Sequence, residues 1–341
     1  MNGCHRILIS FALLAVLTAP IRPQSRERAA PEEPLKLSAE LVVLDAQVLS
    51  KKTGAVVNGL ASEDFTLLED GVKQRITHFS QDRLPLSIVL LLDVSGSVQP
   101  IIDQVCAEGL RALSQLKPDD EVALMVFGLW TTVLQDFTKN RHLITNRAGD
   151  IRSMGHWIGE RTYIDEAVFQ AAAHLAKASN PDSRRIIIIV TDNLSNQPKN
   201  VAHSQWEAME MLSEAGAVVS GLVVGDFAAE FNRYKSKGRF IEDSIANYVA
   251  ETGGVALQVD KDDVVSKLAG LIDRIRTRYS FGYAPLNDKP DGKFRKLRLK
   301  ISREVERREG GIAILTRKGY FSRVRGSTKA VTDVKLPRNP R

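Results

Sequence analysis

The stretch Ser87-Ile88-Val89-Leu90-Leu91-Leu92-Asp93-Val94-Ser95-Gly96-Ser97 decides the fold. Its first half is a near-continuous apolar run. Such a run suits a strand buried on both faces, as in a parallel sheet covered by helices above and below. Its second half, D-x-S-x-S with one glycine, then falls at the carboxyl end of that strand. That is where open α/β sheets place their sites. Gly96 lets the backbone turn tightly there.

Downstream the pattern alternates. Ile101, Val105, Leu110, Leu113 and Leu116 have helical spacing, and Pro118 stops the run. Val122 to Phe127 reads as a second buried strand and Thr132 to Phe137 as its antiparallel neighbour. An Ala-rich helix spans Tyr163 to Ala178, and Arg185 to Val190 carries four consecutive isoleucines, the strongest strand in the chain. Helix Val201 to Ala215, strand Ala217 to Val224, helix Ile241 to Glu251, strand Val255 to Val259 and helix Asp263 to Arg276 follow. Strands alternating with amphipathic helices predict a doubly wound, Rossmann-like α/β domain over residues 85–278.

The flanks read differently. Val42, Leu44, Ala46 and Val48 alternate, and Asp70-Gly71 lies between Phe65–Leu68 and Arg75–Phe79 as a hairpin signal. Residues 39–84 therefore form a β-rich segment of four short strands. After Tyr279 strands return at Tyr279–Tyr283 and Phe294–Ser302, with Ile312–Thr316 and Gly319–Phe321 beyond. Each set is marginal alone. The strands before and those after would together close a small discontinuous β-sandwich, 39–84 pairing with 279–322, into which the α/β domain is inserted. Two independent β units are the alternative.

Residues 1–25 have the layout of an export signal: His5 and Arg6, an apolar run from Ile7 to Leu17, then Thr18-Ala19-Pro20. The run is too short to cross a bilayer as a helix. Residues 26–38 read as a linker and 323–341 as a disordered basic tail. The expected location is the periplasm, the cell surface or the medium. An apolar content of 43% excludes wholesale disorder, and two cysteines exclude a disulfide scaffold or a four-cysteine zinc site. The net charge of +6 is an average of two opposite regions. From Arg274 onward 20 Lys and Arg face 6 Asp and Glu, a net +14, leaving −8 for the rest. That basic region is either a solvated strand face with a soluble tail or a contact for an anionic surface, such as lipid headgroups or acidic polymers.

The oxygen donors form a constellation. Asp93, Ser95 and Ser97 end one strand, and Thr191-Asp192 ends the isoleucine strand. Thr162 lies on the loop before the Ala-rich helix. Two carboxylates and three hydroxyls suit a hard divalent cation, Mg²⁺ with Mn²⁺ or Ca²⁺ as variants. Two charges neutralise a dication without closing its shell, so a position stays open for an outside oxygen, such as a carboxylate of a partner protein. The D-x-S-x-S segment alone is also an ordinary turn, and Asp192 alone an ordinary cap.

On Asp93, Ser95, Ser97, Thr162 and Asp192, residues 85–278 resemble the von Willebrand factor type A domain with its metal-ion-dependent adhesion site. The flanks resemble a bacterial exported subfamily, through Asp64-Phe65-Thr66-Leu67-Leu68-Glu69-Asp70-Gly71 and Arg317-Lys318-Gly319-Tyr320-Phe321. The resemblance implies a metal held by those five residues, engagement of an acidic residue of a protein ligand, and coupling to a shift of the last helix, here Asp263 to Arg276. One departure stands out: Glu160-Arg161 precedes Thr162 where the family commonly has Gly-Gly.

Arg161, Trp130 and Trp157 are candidate partner contacts; the tryptophans can equally pack under loops. G-x-G-x-x-G, a P-loop, D-x-D-x-T, G-x-S-x-G and a zinc-spaced histidine pair are all missing from the sequence. The expectation is a non-enzymatic adhesion or interaction protein. A scaffold whose metal only stabilises the fold is the alternative, and a metal-dependent hydrolase the third reading.

Overall fold

The computed structural model describes residues 41–81, 84–107, 109–151, 161–195, 197, 202–225, 244–260 and 263–322. The expected signal, linker and tail, with Trp157 and Glu160, lie outside the described residues.

Chain order begins with β1 (Val42–Ser50), β2 (Phe65–Glu69), β3 (Val72–Lys73) and β4 (His78–Ser80). The α/β part holds β5 (Leu86–Asp93), β6 (Glu121–Phe127), β7 (Thr131–Thr138), β8 (Arg184–Thr191), β9 (Val218–Val224) and β10 (Ala256–Val259). It closes with β11 (Tyr279–Tyr283), β12 (Phe294–Ile301), β13 (Ile312–Thr316) and β14 (Gly319–Phe321).

The central sheet has the order β10-β9-β8-β5-β6-β7. All its pairings are parallel except β6 with β7. Every residue of β5 and of β6 is buried, which explains their unbroken apolar runs. Two apolar layers cover the faces. One joins Ile88, Leu90 and Leu92 of β5 to Ile102, Leu268 and Ile272. The other joins Val89 and Leu91 to Ile164, Val168 and Ala172 of the helix Ile164–Leu175. Burial of such side chains stabilises by roughly 1.5–3 kcal/mol each.

Helices begin and end where local chemistry dictates. Ser204 caps the helix Gln205–Ala215 by accepting from the Glu207 N–H, and Glu207 reaches back to the Ser204 N–H. Gly216 ends it at φ +62°, a left-handed conformation that favours glycine.

The flanking strands build two four-stranded sheets, β13-β1-β11-β4 and β14-β12-β2-β3. Each combines strands from before and after the α/β part. β1 pairs β11 and β13, and β12 pairs β2, all antiparallel. One apolar cluster, with Leu44, Phe65, Leu67, Phe281, Leu297 and Leu299, includes residues of both sheets. Gly319–Phe321 pairs with β12 at the sheet's edge, so the flanks supply eight strands, four before the α/β part and four after it.

Several elements differ from the sequence reading. The run Ile101–Leu116 is a helix Gln99–Ala107 followed by a 3-10 turn Gly109–Gln115. A helix Arg141–Ala148 buries only Ile144 and Ala148 and has almost no apolar stripe. A short helix Arg303–Arg308, capped by Ser302, buries only Val305. Among the described residues, no helix is long and apolar enough to cross a membrane.

The two parts meet through buried charge. Arg184 donates to the Arg276 and Arg278 carbonyls and to Ser280 Oγ, and its Nε lies 3.3 Å from Asp45. At Gly253 the backbone of Thr316 passes so close that a Cβ would lie 2.3 Å from it.

Candidate metal centre

The sheet order turns back on itself between β5 and β8. β6 lies to one side of β5, and β8 to the other. The carboxyl ends of these two strands therefore flank the switch point, where doubly wound sheets open a crevice. Asp93 is the last residue of β5, and Thr191 is the last of β8 with Asp192 just beyond.

Asp93 is wholly buried. One carboxylate oxygen accepts the Ser95 N–H at 2.9 Å, and the other accepts the Thr191 hydroxyl at 2.6 Å. Both donors are neutral. Among the described residues, no Lys, Arg or His side chain forms an ion pair with Asp93. Burial, and next the nearby charge of Asp192, push the Asp93 carboxyl up to about 7.

The serines follow from the turn. Ser95 is buried and Ser97 exposed, with their hydroxyl oxygens 3.2 Å apart. The Val98 N–H donates to the Ser95 carbonyl, closing the turn, and the Val94 N–H donates to the Phe127 carbonyl of β6. Asp192 is half-buried and accepts the Leu194 N–H at 3.0 Å. Thr162 is buried, and its carbonyl accepts the Ser195 hydroxyl at 3.3 Å, which ties the Thr162 loop to the segment after Asp192. The next residue, Tyr163, donates its N–H to the Gly128 carbonyl.

Two residues at this edge have no role in the sequence reading. Thr191 both donates to Asp93 and accepts the Asn193 N–H at 3.0 Å. Asn193 adopts φ +61°, and its side chain accepts the Ile245 N–H in the first turn of the helix Ser244–Thr252. The Thr191-Asp192-Asn193 run is visible in the sequence, but the target of each side chain lies far away along the chain. Of the candidate contacts, Arg161 is exposed beside Thr162. Trp130 is 55% exposed on the β6–β7 loop rather than packed beneath it.

The donor set is hard and oxygen-only. Among the described residues, no group of three or more His, Cys, Asp or Glu side chains is placed to hold a metal. Two carboxylates, one of them buried with neutral donors, and the serine and threonine hydroxyls offer oxygen donors of the kind hard divalent cations take.

Fold and site thus define a doubly wound α/β domain with an oxygen-rich crevice at its switch point. Residues 88–195 match the family model of the von Willebrand factor type A domain. No curated protein matches the chain. Among solved structures, the chain is similar to the conserved hypothetical protein BatB from Bacteroides thetaiotaomicron. The identity is 19%, over 56% of this chain and 97% of that one, with a TM-score of 0.42. It is similar to proximal thread matrix protein 1 from the mussel byssus, determined with a zinc-occupied MIDAS motif. There the identity is 17%, over 57% and 48%, with a TM-score of 0.43. It is also similar to the vWF domain of the type V pili tip protein Mfa5 from Porphyromonas gingivalis, at 12% identity over 56% and 95%, with a TM-score of 0.40.

Proposed function

We propose that Asp93, Ser95, Ser97, Thr162 and Asp192 hold a divalent cation, Mg²⁺ first and Mn²⁺ or Ca²⁺ next, as a metal-ion-dependent adhesion site. The cation would bind an acidic residue of a partner protein. One observation carries this reading: Asp93 is a fully buried carboxylate whose two oxygens meet only neutral donors while Asp192 repels it. A buried charge with a like charge nearby is costly unless something compensates it. A dication does so, and Ser97, exposed at the rim, marks the side from which an outside ligand approaches.

When bound, the cation supplies a Lewis-acidic centre for a carboxylate oxygen. The chain's own groups do the rest. Thr191 and the Ser95 N–H orient the Asp93 carboxylate. Ser195 fastens the Thr162 loop, and Asn193 anchors the helix Ser244–Thr252 to the same edge. Arg161 and Trp130, both exposed, would serve as contacts for the acidic partner. The chain acts outside the cytoplasm, on the signal-like layout of residues 1–25, and works by binding rather than by catalysis, since the nucleophile and cofactor motifs are missing from its sequence.

Capture of partners in Mg²⁺ followed by elution with EDTA tests this. The expected result is a protein retained by wild type, released by EDTA and not retained by Asp93→Asn. A partner held equally in Mg²⁺ and EDTA would leave only a structural metal. Metal-dependent turnover of a hydrolase substrate would replace adhesion by catalysis.

A further inference from the structure

The outer face of the sheet β14-β12-β2-β3 holds none of the candidate metal ligands and carries a different chemistry. β12 alternates strictly, with Arg295, Leu297 and Leu299 inward. Phe294, Lys296, Arg298 and Lys300 therefore share the solvent face, and all four are exposed. Lys73 of β3 joins them, because it pairs Leu68, which pairs Arg298. Among the described residues, none of Lys73, Lys296, Arg298 and Lys300 forms an ion pair. Asp70, at the rim of this face, spends a carboxylate oxygen on the Lys296 N–H, and Asp291 is taken up by Arg295 and Ser322.

An aromatic ladder adjoins the cations. Phe294 packs edge-on against Phe321 of β14, 5.1 Å between centroids, and Phe321 packs edge-on against Trp206, 5.2 Å away. Phe294 is 43% exposed and Trp206 61% exposed. The ladder spans the junction of the two parts, since Trp206 belongs to the helix Gln205–Ala215 and the Phe321 N–H donates to Ser213 Oγ. Just past Ser322 the sequence adds Arg323, Arg325, Lys329, Lys335, Arg338 and Arg341 against a single acid, Asp333.

We propose that this face docks on an anionic lipid surface, with the β12 cations against the headgroups and the aromatic ladder at the interface. Aromatic rings settle at the headgroup level of a bilayer, and basic side chains beside them are drawn to acidic lipids. The cations project from one face of a sheet, on β12 and the neighbouring β3. The rings pack edge to face on one another and so form a contiguous apolar knob rather than open platforms for stacking bases. This proposal is independent of the metal reading.

Vesicle sedimentation of the full chain in EDTA tests it, because chelation silences the metal centre. Vesicles of phosphatidylcholine alone are compared with vesicles in which about one third is phosphatidylglycerol. Wild type is expected to prefer the anionic vesicles and to lose binding as NaCl rises. Combined Lys296→Glu, Arg298→Glu and Lys300→Glu should weaken that binding at least ~10-fold with an unchanged circular dichroism spectrum, since each juxtamembrane cation contributes severalfold. The Gln versions of the same three positions should weaken it less but in the same direction. Trp206→Ala should weaken it severalfold and abolish part of the tryptophan blue shift. Equal binding to both vesicles, or unchanged binding by the Glu and Gln variants, would overturn the proposal. So would binding of an oligonucleotide or acidic protein through these residues while vesicles are ignored.

Discussion

Two buried aspartates sit at opposite ends of the same parallel sheet, and they are treated in opposite ways. Asp120, just before β6, accepts two guanidinium hydrogen bonds from Arg276, the shorter at 2.6 Å, together with the Leu86 and Lys117 N–H groups. Burial pushes its carboxyl up, but the Arg276 hydrogen bonds and the two backbone donors outweigh that and hold it below the usual range. Asp93, at the other end, has two neutral donors and a repelling Asp192, and its carboxyl rises to about 7. The chain completes Asp120 itself, whereas Asp93 has no cationic partner among the described residues, which is why it anchors the proposed site. That contrast separates a structural ion pair from a proposed binding site more clearly than residue type does, since both are buried acids on one sheet.

The largest expected effect is on the completed end. Asp120→Ala strands the buried Arg276 guanidinium and should cost about 3–5 kcal/mol, read as a lower midpoint in denaturant unfolding. Asp93→Asn should cost nothing of that kind in EDTA and should raise stability above pH 7, because it removes a repelled charge. A large loss on Asp93→Asn without metal would erase the contrast.

Metal addition comes next. Mg²⁺ at about 100 times its dissociation constant should stabilise wild type by about 2.7 kcal/mol and leave Asp93→Asn unmoved, as thermal unfolding would show.

The two ends also respond oppositely to pH. The Asp93 pKa is raised from 3.8 to about 7, so the folded chain holds a proton there that the unfolded chain has lost. Metal-free stability therefore falls as pH rises across that window, by up to about 1.4 kcal/mol per pH unit from this group, and Mg²⁺ affinity rises in the same direction. Asp120 is depressed, so its contribution is complete above the ordinary carboxylate range and is lost as pH falls through its lowered pKa. Unfolding curves of wild type and Asp93→Asn from pH 4 to 8 should diverge accordingly; parallel curves would remove the assigned cause.

Thr191→Val sharpens the comparison with a smaller effect. It deletes the hydroxyl between Asp93 and the Asn193 N–H, should cost about 1 kcal/mol, and should weaken Mg²⁺ severalfold in calorimetry. Arg161→Ala should change stability by less than about 0.5 kcal/mol and should show only in partner binding.

The legible parts of the sequence are those where burial is continuous or periodic. β5, β6 and β8 are buried almost throughout, and their apolar runs announce them. The helix Val264–Arg276 buries Val264, Leu268, Leu271, Ile272 and Ile275, a clear stripe. The helix Arg141–Ala148 leaves no such signal because two buried residues make no stripe, and Arg303–Arg308 leaves none because one buried valine sits in a run of charge. Site residues are legible where a strand's end marks them, as with Asp93 and Asp192. Thr191 and Asn193 are not, because their roles depend on partners 98 and 52 residues away. In the sequence the C-terminal basic region reads as one solvated or surface-seeking whole. The structure instead divides it, burying Arg276, Arg278 and Arg295 while exposing Lys296, Arg298 and Lys300.

In the proposed site a divalent cation completes Asp93. Calorimetric titration of Mg²⁺ into wild type and Asp93→Asn at pH 8 tests it most directly. The expected result is one saturable site in wild type, with proton release that grows as the pH is lowered toward 7, and no binding in the variant. Equal Mg²⁺ binding by both chains, or none by wild type, would contradict it.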